Sequence, residues 1–90
     1  MTKREKEQYI IEQFKYFGSV RDLGGYVEND IVIDIVCKAL WNKKAFNKHG
    51  VDILTNEEFL TIDKVLKNML DKGLIIKSKS GNCTKLVKEV

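Results

Sequence analysis

The chain has 90 residues, 43% hydrophobic and 32% charged, with a net charge of +3. That leaves room for one domain, residues 1–90, with one modest core, and excludes a second domain. The start, Met1-Thr2-Lys3-Arg4-Glu5-Lys6-Glu7-Gln8, is too charged for a signal peptide, and no apolar run approaches the ~18–20 residues of a membrane span, so a cytoplasmic protein without membrane association is expected.

From the N-terminus, Thr2 to Phe17 puts Ile10, Ile11, Phe14 and Phe17 on one helical face, and Gly18 reads as the C-cap. Ser19 to Val27 has room for a short helical turn capped by Ser19, ended by Gly24-Gly25. Asp30 to Lys48 is ambiguous because Ile31, Val32, Ile33, Ile35 and Val36 are β-branched. Asp30 as a cap and the helix formers from Lys38 onward favour helix. Its first turns are apolar on nearly every side, so burial from several directions is required and a homodimer seam is expected.

Val51 to Leu54 reads as a short strand. Thr55-Asn56-Glu57-Glu58 is a capping box, and Phe59, Ile62, Val65, Leu66, Met69 and Leu70 follow on one face, with Lys72 and Gly73 as stop signals. Leu74 to Lys79 and Cys83 to Lys88 flank Ser80-Gly81-Asn82 as the arms of a β-hairpin. The expected fold is therefore mainly α with a small β-hairpin.

The charges are unevenly placed. Lys38, Lys43, Lys44, Lys48 and His49 lie between Asp34 and Asp52 with no acid among them. Lys72, Lys77, Lys79, Lys85 and Lys88 lie between Asp71 and Glu89, again with none. Cys37 and Cys83 are too far apart for a metal or redox pair and read as reduced thiols, one in the core and one in the hairpin. Trp41 and Phe46 continue the apolar helix and read as core or interface. A single histidine, His49, no Gly-rich phosphate loop and no metal-ligand cluster give no active site, metal or cofactor to assemble.

The run from Ile62 to Lys77, with its Leu70-Asp71-Lys72-Gly73-Leu74-Ile75 phrase and the Lys-rich hairpin behind it, resembles the recognition helix and wing of winged helix-turn-helix proteins over residues 55–90. The resemblance implies an α+β winged-helix domain that binds double-stranded DNA. On that reading Thr61, Lys64, Lys67 and Asn68 read the duplex from the helix, and Lys77, Lys79, Lys85 and Lys88 contact it from the wing. Lys43 and Lys44 add phosphate contacts. Asp30 to Lys48 would be the second helix and Val51 to Leu54 the small first strand. With no effector domain in so short a chain, the expected role is a small regulator or an accessory factor in plasmid or phage replication, partition or conjugative transfer. The alternative is a winged-helix protein-interaction module or an inhibitor of a larger enzyme, which Glu57 and Asp71 on the presumed reading face support.

Overall fold

A computed structural model describes residues 2–88. It is a small α+β fold with three helices and a three-stranded antiparallel sheet. None of the helices in the described residues is long and apolar enough to cross a membrane.

Helix α1 spans Lys3–Val20. Thr2 and Glu5 close a capping box at its start, each side chain bonding the other's backbone N–H. The helix runs past the expected stop. Gly18 lies inside it and Arg21 is the C-cap; a Cβ on Gly18 would stand 3.0 Å from the Gly25 carbonyl oxygen. The glycine therefore serves a close backbone approach rather than a left-handed cap. Ser19 starts no new turn of helix, since its hydroxyl donates back to the Tyr16 carbonyl. Instead the chain reverses through Asp22 and Gly24-Gly25, all at positive φ, into strand β1, Tyr26–Glu28.

Helix α2, Asn29–Trp41, is helical through the whole β-branched run. Glu28 is its N-cap, but its carboxylate pairs with Arg21 and makes no capping bond to the helix, so Asp30 sits in the first turn and is not the cap. The helix also stops well short of Lys48. Asn42 takes the left-handed conformation, and the Asp34 carboxylate reaches forward to accept the Ala45 N–H at 2.9 Å, drawing the chain off the helix axis.

Val32, Ile35, Val36, Cys37 and Ala39 of α2 are buried by the chain itself, among Ile10, Ile11 and Phe14 of α1, Ile62 and Met69 of the third helix, and Val27 and Ile75 of the sheet. The core of the domain thus takes up much of the apolar surface that suggested a dimer seam, while Ile31, Ile33, Leu40 and Trp41 are only partly buried against it.

Residues 51–54 form no strand, only a single bridge, Phe46↔Asp52. The Asn47 side chain takes up two backbone donors of this turn, His49 N–H and Val51 N–H.

Helix α3, Asn56–Asp71, begins at the expected capping box, with Thr55 and Glu58 bonded reciprocally. It ends in a Schellman motif: Leu74 N–H reaches the Met69 carbonyl and Gly73 N–H, at φ +73°, reaches that of Leu70. Met69 and Leu74 are both buried. The chain then enters β2, Ile75–Lys77, and returns as β3, Cys83–Leu86.

Strand β3 is central, in the order β1-β3-β2. Its Thr84 pairs with Val27 on one side and Lys77 on the other, and Lys85 pairs with Tyr26 and Ile76. Val27 and Thr84 face the helices, so the alternate row, Tyr26, Lys85 and Ile76, faces outward.

Candidate nucleic-acid interface

The outward surface of α3 is the first half of the candidate site. Thr61, Lys64, Lys67 and Asn68 are all exposed, as expected for the side of a helix opposite Ile62, Leu66 and Met69. Thr61 is the weakest reader of the four, because its hydroxyl already donates to the Glu57 carbonyl at 2.9 Å. Asn68 stands at the edge of the face, on a cleft shared with the first turns of α1.

Leu60 went unnoticed in the sequence, yet it is 61% exposed, one helical turn before Lys64. Its exposure was readable in advance, because it lies opposite the Ile62–Leu66–Met69 stripe. The helix carries four carboxylates, Glu57, Glu58, Asp63 and Asp71, against two ammonium groups, Lys64 and Lys67. Among the described residues, Glu58 is the one of these acids that is neutralised by an ion-pair partner.

That partner is Lys43, whose Nζ lies 2.5 Å from Glu58 Oε2 and 5.7 Å from the centre of the Trp41 ring. Lys43 first, and then the Thr55 backbone, hold the Glu58 carboxyl below the usual carboxylate range. Lys44 lines an open cleft beside Asp30 and Asp34. The basic stretch of the α2–α3 connection is thus partly offset by acids distant in sequence.

The hairpin is the second half. Lys77 ends β2, Lys79 lies at the exposed tip and Lys88 follows β3. Lys85 is not at the tip. It lies in the central strand, half-buried, with its aliphatic stem over Gly25 and its ammonium 5.6 Å from the centre of the Tyr26 ring.

The tip is internally tied. Ser78 N–H donates to the Cys83 carbonyl, Gly81 N–H to the Ser78 carbonyl, and Cys83 N–H to the Ser78 hydroxyl. Asn29, the first residue of α2, then anchors it to the body of the domain. Its side-chain amide donates to the Gly81 carbonyl at 2.8 Å, its backbone N–H donates to the Asn82 carbonyl at 3.0 Å, and its Oδ1 accepts from the buried Thr84 hydroxyl at 3.4 Å. Nothing near Asn29 in sequence signals this contact, which spans more than fifty residues.

The chain matches no family model, no curated protein and no solved structure. What it can do is therefore read from its own surface. That surface has an exposed helix face of mixed charge, followed directly by a hairpin whose charged side chains, from Lys77 to Lys88, are all lysines. Among the described residues no group of His, Cys, Asp and Glu is placed to hold a metal ion.

Proposed function

We propose that this protein is a winged-helix module that binds double-stranded DNA, with the hairpin as its wing and α3 as its reading helix. The observation that carries the proposal is the anchored, acid-free basic hairpin. Lysines that serve merely to protect a sheet edge need no ordered tip. Here the tip bearing Lys79 is held to α2 through Asn29, which keeps its charge in a defined position beside the domain. The element order also supports the reading: three helices, a hairpin directly after the third, and a short strand between the first two that completes the sheet.

Within this proposal Lys77, Lys79 and Lys88 contact phosphates, and Lys64, Lys67 and Asn68 face the groove. Lys85, Lys43 and Thr61 have intramolecular partners and contribute less. Such a module would act as a small regulator or as an accessory DNA-binding factor.

The test is binding to a short random-sequence duplex, followed by fluorescence anisotropy between about 50 and 200 mM salt. Lys77→Gln together with Lys79→Gln is expected to weaken binding to all sequences alike and to flatten the log affinity against log salt slope by about two units. Absence of binding by the wild-type protein at low salt would refute the proposal.

A second reading, a protein-interaction module or enzyme inhibitor on the same fold, is favoured by the α3 surface. Glu57, Asp63 and Asp71 repel phosphates, and the exposed Leu60 suits a protein surface. Failure to bind DNA with the fold intact would favour it.

A further inference from the structure

Lys3, Arg4 and Lys6 occupy the first turns of α1, where the partial positive charge of a helix N-terminus disfavours cations. The helix needs nothing from them, since the Thr2–Glu5 box already caps it. The acids of the same stretch are engaged within the chain: Glu5 in that box, and Glu7 with Lys72 Nζ at 3.1 Å. The three cations, by contrast, have no ion pair or side-chain hydrogen bond among the described residues. They lie far from α3 in sequence, but Lys3 and Lys6 line one cleft with Asn68, Val65 and Met69 of α3 and Leu40 of α2.

We propose that Lys3 and Lys6, which flank the Asn68 edge of α3, form a second phosphate-contacting patch independent of the wing, with Arg4 extending it on the adjoining face of α1. The proposal rests on the DNA-binding reading above. Cations placed where the helix dipole opposes them, with no internal anion, cost the domain stability; an external polyanion supplies the missing partner. The patch also gives the acid-rich α3 face what it lacks, positive charge at its border.

The experiment compares the wild type, Lys3→Gln/Arg4→Gln/Lys6→Gln, Lys77→Gln/Lys79→Gln and the control Lys38→Gln on one random-sequence duplex. Glutamine keeps chain length and helix propensity. The triple variant is expected to flatten the salt slope by about two to three units and to weaken binding at least tenfold near 0.1 M salt. Its Tm should stay unchanged or rise by roughly 1–4 °C, because unfavourable charges have left the helix start. Loss of DNA affinity without loss of stability is the signature that a merely structural role would not produce.

A triple variant with wild-type slope, while the wing variant loses its own, would overturn the patch and leave the wing reading standing. Equal flattening by Lys38→Gln would also overturn it, since net charge alone would then set the slope. A wild-type protein that does not bind would sink both proposals, and this is read from the wild type itself.

Discussion

Replacing Asn29 with alanine should loosen the hairpin tip more than any change within the hairpin itself. The substitution removes the donor to Gly81 O at 2.8 Å and the acceptor of the Thr84 hydroxyl, and it leaves the backbone bond from Asn29 N–H to Asn82 O in place. The half-exposed Gly81 carbonyl regains water, so its lost bond costs about 1 kcal/mol. Thr84 is 1% exposed, and its hydroxyl, left without a partner, adds about 1–2 kcal/mol. The expected destabilisation is about 2–3 kcal/mol.

Thr84→Val removes the hydroxyl in nearly the same shape, and in the Asn29→Ala background it should restore about 1 kcal/mol, because no stranded group then remains. Urea denaturation of the four proteins measures this coupling, and hydrogen exchange at Ser78, Gly81 and Cys83 reports the tip directly. A cost for Asn29→Ala below about 0.5 kcal/mol, or strict additivity with Thr84→Val, would refute the anchoring argument.

Thr55→Ala should cost about 1 kcal/mol by opening the capping box of α3, measured by the same denaturation. The lowered Glu58 carboxyl contributes stability that is present above its unfolded pKa, near pH 4, and lost as the pH falls through its lower folded value. The stability gap between wild type and Glu58→Gln should therefore close on acidification below about pH 4, and a gap independent of pH would refute the Lys43 pairing. Burial pushes the Cys37 thiol up, so a thiol reagent should modify half-buried Cys83 first and Cys37 only through unfolding; equal rates would contradict the core position of Cys37. Val36→Asp should unfold the domain rather than split a dimer, since Val36 is fully buried within a single chain.

Helix α3 was legible from sequence alone, because its start, its apolar stripe and its Gly73 stop are local signals that act within a few residues of one another. The hairpin after it was legible for the same reason. The helical state of α2 could also be read, but its end could not: Asn42 and the Asp34–Ala45 bond break it, and such a bond depends on where the chain turns next. Strand β1 is three residues long, too short for any period, and exists because β3, at the far end of the chain, offers an edge to pair with.

Composition located the lysines without deciding which of them are free. Tertiary structure sets Lys43 against Glu58 and lays Lys85 across Tyr26, and it leaves Lys64, Lys67, Lys77 and Lys79 exposed. It also encloses much of the apolar surface of α2, which had suggested a second subunit, because three helices and a sheet wrapped around one another cover more surface than pairwise reasoning along a sequence can count. Local patterns are written in neighbouring residues and can be read there; partners separated by fifty residues meet only when the whole chain has closed on its core.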